Sequence, residues 1–186
     1  GLEIDVVEFR RIIGMNESSF REALHQAIGD QVDVPELVAK SDKIYHQKIG
    51  HGVPMHKGAR ICIEWLSNEG IPQSVATSSK QSLAQKKLGH HDLICHFHSI
   101  VSGDQVTNGK PHPEIFITAA EQMGVEPSDC LAFEDSLHGI HAAAASGARV
   151  ILVPDLAIHN DESRCLAHEI WESLERGPEK FQEWLV

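Results

Sequence analysis

Cys130-Leu-Ala-Phe-Glu-Asp-Ser-Leu-His-Gly139 is the stretch from which the fold can be read. Cys130–Phe133 is a short apolar run of strand length, and it ends in two adjacent carboxylates, Glu134 and Asp135. An Ala-rich segment over 137–146 follows, closed by Gly147, which predicts a helix with a glycine just past its end. Arg149-Val-Ile-Leu-Val153 then predicts a second strand. Toward the N-terminus the alternation continues. A helix is predicted from Pro113 to Met123, closed by Gly124, and Ser99-Ile-Val-Ser102 reads as a strand. Before these come a helix starting near Ser79, a strand at Gln73-Ser-Val-Ala-Thr77, and a helix carrying Ile61, Cys62, Trp65 and Leu66 that stops at Gly70. Repeated strand–helix alternation predicts an α/β fold with a parallel sheet covered on both faces. Beyond Val153, the stripe Leu166, Ile170 and Leu174 is expected on C-terminal helices that also carry Trp171 and Trp184 and pack on the core.

Residues 1 to about 56 have a different pattern. Val6, Val7, Phe9, Ile12 and Ile13 give one apolar helical face, which Gly14 breaks. Ser19-Phe-Arg-Glu22 matches a capping box, followed at helical spacing by Phe20, Ala23, Leu24, Ala27 and Ile28, with Gly29 as the closing residue. Pro35 suits the first position of a third helix running to about Ile49. Gly50-His-Gly-Val-Pro54 reads as a linker. Helices without strands predict a small bundle over 1–56 and a separate core over 57–186.

Composition restricts the function classes. The chain has 186 residues, 41% of them hydrophobic and 23% charged, enough to build a core. Its formal charge of −11 disfavours nucleic acid and anionic lipid as partners. No apolar run approaches membrane-spanning length. No secretory signal pattern opens the chain. Cys62, Cys95, Cys130 and Cys165 are scattered, as expected for reduced thiols in a cytoplasmic protein. A monomer acting on a small molecule is the expectation.

In open parallel sheets, ligands bind beyond the carboxyl ends of the strands. The first such end reads Thr77-Ser78-Ser79, hydroxyls and amides that can cradle a phosphate or simply cap the next helix. Asn108-Gly-Lys-Pro-His-Pro113 holds Lys110 between Gly and Pro, which restricts its approach, although most lysines are merely solvated. Glu134 and Asp135 repel one another and ask for a cation, most simply Mg²⁺, unless Asp135 or Ser136 only caps the following helix. A hydroxyl, a lysine and paired carboxylates, in that order, supply what a phosphoryl group requires.

On Val75-Ala-Thr-Ser-Ser79, Gly109-Lys-Pro-His-Pro-Glu-Ile-Phe116 and Phe133-Glu-Asp-Ser-Leu-His-Gly139, the chain resembles the haloacid dehalogenase superfamily of phosphohydrolases. It looks most like the branch of β-phosphoglucomutase and sugar-phosphate phosphatases. The resemblance implies a Rossmann-like core with a small helical cap, and Mg²⁺-dependent chemistry on a small phosphorylated metabolite through an aspartyl-phosphate. It implies that Thr77 and Ser78 hold phosphate and that Lys110 stabilises the transition state. It further implies that Asp135 binds Mg²⁺ directly, with Glu134 beside or behind it.

The family's Asp-x-Asp-Gly motif, which carries the nucleophile, occurs nowhere in the 186 residues. By resemblance its strand lies mid-sheet, between the strands ending at Thr77 and Phe133. The expectation is therefore a gap of about 10 Å, two interstrand spacings, and a nucleophile upstream of Gly1. A non-catalytic relative that keeps the phosphate site is the alternative. In the cap loop, Glu17 falls near the position where phosphomutases of this branch carry an Arg for a second phosphate. That favours a phosphatase of monophosphates over a mutase, and Asn16 and Glu17 could instead bond a sugar or nucleoside hydroxyl. A response-regulator receiver uses similar groups, but in another chain order and without a cap. His90, His91, Cys95, His96 and His98 crowd together without the paired spacing of a structural zinc site. His112 and His138 flank the motifs as further pocket or surface residues.

Overall fold

A computed structural model describes residues 5–12, 14–15, 17–29, 32–157 and 159–184; for residues 8, 17 and 51 only the backbone is described. Three helices come first: α1 (Val6–Arg11), α2 (Glu17–Ile28) and α3 (Val34–Lys48). α2 starts at Glu17, so Ser19 lies inside its first turn and is not the cap that the sequence suggested. α3 is capped by Asp33, whose carboxylate accepts from the Glu36 amide at 2.9 Å. Pro35 therefore sits one position later than expected, still within the turn whose amides have no helical partner. α2 and α3 bury Leu24, Ile28, Val34 and Val38 together, each contributing roughly 1.5–3 kcal/mol. The apolar face expected over 6–13 is not buried: Val6, Val7 and Phe9 are exposed, and Ile13 is outside the described residues.

From residue 59 the order is α4 (Ala59–Asn68), β1 (Ser74–Thr77), α5 (Gln81–Gly89), β2 (Ser99–Ser102), α6 (Glu114–Met123), β3 (Leu131–Glu134), α7 (Leu137–Ser146), β4 (Arg149–Leu152), α8 (Asp161–Leu166), β5 (Glu169–Ile170) and α9 (Gly177–Trp184). Gly124 and Gly147 close α6 and α7 at φ 72° and 92°, in the left-handed region where a side chain is disfavoured. Every strand pair is parallel. β1 pairs with β2 so that Thr77 lies opposite Ser102, and β3 pairs with β4 so that Glu134 lies opposite Leu152. The fold is α/β with a parallel sheet, as the alternation predicts.

The sheet is in two parts, β1-β2 and β3-β4-β5. Among the described residues no strand pairs with the second edge of β1 or of β3. This is where the mid-sheet gap was expected.

Two apolar clusters cover the larger part. One joins Ala132, Ile140, Ala143, Val150 and Leu152 under α7. The other centres on Trp171 and Phe181, with Cys62, Ile151 and Val153. Trp171 stacks among Phe133, Phe181 and Trp184 at centroid separations of 5.5, 6.0 and 5.8 Å. Such aromatic pairs are worth about 0.5–1.5 kcal/mol beyond burial. The C-terminal reading needs correction. Leu166, Ile170 and Leu174 are not one helical stripe. Leu166 ends α8, Ile170 lies in β5, and Leu174 begins a 3₁₀ turn. Trp171 follows an edge strand rather than lying on a helix, while Trp184 is on α9 as expected. Among the described residues, no helix is long and apolar enough to cross a membrane.

Candidate active site

The strand ends meet at Lys110. Its loop runs from β2 to α6, and Glu114 at the start of α6 clamps it. The Glu114 carboxylate accepts from the Thr107 and Asn108 amides at 2.7 and 2.8 Å and from Asn108 Nδ2 at 2.8 Å. These bonds, that from Thr107 first, hold the Glu114 carboxyl below its usual range. The Lys110–Pro111 peptide is cis. The Lys110 side chain is 6% exposed, and its ammonium lies 4.8 Å from the centroid of the Phe116 ring. Its Nζ donates to the Ala76 carbonyl of β1 at 3.1 Å and to Glu134 Oε1 of β3. One ammonium thus spans the break between the two parts of the sheet. An ammonium has three protons, and these contacts engage two.

Glu134 is buried behind the strand end. Its Oε2 accepts from Ser136 Oγ at 3.0 Å and lies 3.4 Å from the Ser136 amide. Ser136 also caps α7, its Oγ accepting from the Gly139 amide at 3.0 Å. A side chain at Gly139 would collide with the Glu134 carboxylate. Both Glu134 oxygens are engaged within the protein.

Asp135 has the opposite setting. It is exposed at the strand end, yet the surrounding protein atoms raise its carboxyl above the usual value, and the charges of Glu134 and Asp155 add to this against a smaller counter-effect of Lys110. A crowded oxygen donor held beside other carboxylates fits a hard divalent cation, and Mg²⁺ commonly takes one or two carboxylates with waters and substrate phosphate. Among the described residues, no three His, Cys, Asp or Glu side chains are grouped to hold a metal. Asp135 would be one ligand of a set that these residues do not complete.

Thr77 and Ser78 follow Ala76, so Lys110 also lies at their strand end. Thr77 Oγ1 accepts from the Ser79 amide at 3.2 Å, closing the turn. Ser78 Oγ donates to the Gly14 carbonyl at 2.9 Å. Gly14 also packs against Ser136, where a Cβ would collide. The loop before α2 therefore touches both the β1 and the β3 ends. Asn16 and the Glu17 side chain lie outside the described residues. A cleft of about 380 Å³ opens between α2 and the core, lined by Ser18, Arg21, Ser78, Lys80, Asp104 and Thr107 among others. A hollow of about 440 Å³ beside α2 and α3 reaches none of Thr77, Ser78, Lys110 or Asp135.

The histidine-rich stretch lies in the loop between α5 and β2, where His91 Nε2 bonds the Val53 carbonyl at 2.7 Å. The sequence reading offered Ser136 as a possible cap of α7, which it is; residues it did not place at the site are the Ala76 carbonyl, Gly14, Glu114 as clamp, Asp155 and His159. Ser136 with Gly139 three residues on was a legible capping signal. Glu114 reaches only six and seven residues back; the others are set by contacts distant in sequence.

A hydroxyl turn, a buried ammonium and an acidic pair thus converge at the carboxyl ends of two parallel half-sheets. The chain belongs to the family of haloacid dehalogenase-like hydrolases, whose model matches residues 2–153. It is 34% identical over 135 residues to a bifunctional riboflavin kinase/FMN phosphatase of Arabidopsis thaliana, covering 69% of this chain and 35% of that protein. It is 35% identical over 152 residues to a probable pseudouridine-5'-phosphatase of Drosophila melanogaster, covering 78% of this chain and 66% of that protein. The chain thus spans less than two thirds of either relative. The crystal structure of a β-phosphoglucomutase from Clostridium difficile superposes with a TM-score of 0.78 at 20% identity, over 100% of this chain and 85% of that one. That likeness shows the fold.

Proposed function

We propose that the protein is a Mg²⁺-dependent phosphatase of small phosphomonoesters, sugar or nucleoside monophosphates, working through an aspartyl-phosphate. The observation that carries this reading is the Lys110 ammonium bound at once to the Ala76 carbonyl and to Glu134, beside Asp135. In this reading residues 1–56 act as a cap over the core. The nucleophilic Asp comes from outside these 186 residues, on a strand that enters the slot between β1 and β3. The phosphatase names of relatives that match at about one-third identity support hydrolysis of phosphate esters.

Each residue has a derivable task. Asp135 and the incoming Asp would hold the cation, which when bound would neutralise phosphate charge and orient it for attack. Lys110 would offer its remaining N–H to the phosphoryl oxygens, in a setting where burial strengthens the interaction. Glu134 acts through Lys110, fixing its direction. Thr77 and Ser78 supply the turn that receives the other phosphoryl oxygens, Ser78 after exchanging its bond to Gly14. The cleft between α2 and the core is where the leaving group would lie, with Asn16 and Glu17 as contacts to its hydroxyls.

The test is p-nitrophenyl phosphate hydrolysis by the complete gene product with and without Mg²⁺. Turnover that needs Mg²⁺ and falls at least about 100-fold in Asp135→Asn, a change that leaves the sheet contacts of Lys110 in place, supports the reading. No turnover from a folded wild type would replace it with the non-catalytic relative.

A further inference from the structure

The loop that follows β4 reaches back to the cation site. His159 lies in it, one residue before Asn160, which caps α8 by accepting from the Ser163 amide at 2.8 Å. Ser163 is fully buried, and its Oγ donates to the Asn160 carbonyl at 2.9 Å. The segment is therefore anchored on its C-terminal side. From there His159 Nε2 comes within 3.0 Å of the Asp135 carbonyl. A carbonyl only accepts, so Nε2 carries the proton. Nδ1 is buried, and among the described residues it has no hydrogen-bond partner. A bare acceptor there is tolerable where a bare N–H is not, which agrees with the proton standing on Nε2.

The same peptide is restrained from its other side, since the Ser136 amide faces Glu134 Oε2 at 3.4 Å. The plane joining Asp135 to Ser136 is thus held at its oxygen by β4's loop and at its nitrogen by β3's own glutamate. That plane, with the strand before it, sets where the Asp135 carboxylate points. Resting on the proposed cation role of Asp135, we propose that His159 is a positioning residue for the metal site, its Nε2–H pinning the Asp135–Ser136 peptide so that the carboxylate is aimed before the cation arrives. Asp155, in the same loop, adds negative charge toward Asp135. No part of this requires His159 to touch substrate or metal. Groups that orient a ligand from behind commonly govern affinity by 10- to 100-fold.

The experiment measures Mn²⁺ binding to the complete gene product by the loss of the free-ion paramagnetic resonance signal, with Mg²⁺ as competitor. His159→Phe removes the donor and keeps the bulk; binding is expected to weaken about tenfold. His159→Gln places an amide N–H where Nε2 stood and is expected to stay within about twofold of wild type. Rescue by Gln separates orientation from mere packing. Should the Phe variant fail to fold, His159→Asn, whose shorter donor misses the carbonyl, carries the same tenfold expectation. Phe or Asn variants that bind like wild type overturn the inference, as does a Gln variant as weak as Phe. A wild type that binds Mn²⁺ with this dependence but never hydrolyses phosphate esters sinks the phosphatase reading and leaves His159 its role. A folded wild type without Mn²⁺ affinity overturns both.

Discussion

At the residue scale, the pocket depends on Lys110 and Glu134. A buried ion pair adds little over well-packed apolar groups, but breaking one is costly because the remaining charge is stranded. Lys110→Met is expected to lower unfolding free energy by about 3–5 kcal/mol in urea titrations. Adding Glu134→Gln, which removes the stranded charge, should restore a good part of the loss. Gly139→Ala presses a methyl onto the Glu134 carboxylate and is expected to cost about 1–3 kcal/mol in the same assay. Asp135 behaves differently. Loss of water to the surrounding protein atoms first, then Glu134 and Asp155, raise its carboxyl above its unfolded value of 3.8. The folded state therefore binds this proton more tightly than the unfolded one, and stability from this group falls as pH rises from about that value through the raised one. Metal-free Asp135→Asn should melt higher than wild type at neutral pH, with the difference fading on acidification. Mg²⁺ should raise the melting temperature of wild type only. Differential scanning fluorimetry across pH reads both effects.

At the element scale, the sequence was most legible where local signals agreed. The strand ending at Ser102 and the helices closed by Gly124 and Gly147 were readable because apolar runs and closing glycines coincide there. The C-terminal stretch misled, because Leu166, Ile170 and Leu174 have helical spacing by accident and are claimed by two different clusters. A two-residue strand such as β5 carries too little pattern to be heard against that. At the site, residue types and order were readable, so Thr77, Ser78, Lys110, Glu134 and Asp135 could be named. Their engagement was not: that Lys110 reaches Ala76, or Ser78 reaches Gly14, depends on chain segments 34 and 64 residues apart. The junction of α4 with the C-terminal elements offers a separate check. Cys62 Sγ donates to the Leu174 carbonyl at 2.9 Å, and burial pushes its thiol up to about 11. Against a thiol reagent at pH 8, exposed Cys95 and Cys165 should react promptly and Cys62 only after unfolding.

At the scale of the whole molecule, the divided sheet governs behaviour. β4 is paired on both sides and fully buried at Val150, Ile151 and Leu152. Its amides should be the slowest to exchange with deuterium, while those of β1 and β3 not bonded to β2 or β4 should exchange much sooner. Equal protection across β1, β3 and β4 would contradict the divided arrangement. Beside the packing of Phe116 against both parts, Lys110 is the ammonium that bonds β1 to β3, shared between architecture and the proposed chemistry. Lys110 is therefore under two masters. A change that tuned its grip on phosphate would also loosen the weld between the halves, and one that tightened the weld would draw it away from the reaction. Catalyst improvement by directed evolution would then have to go around this lysine, through the loops that frame it.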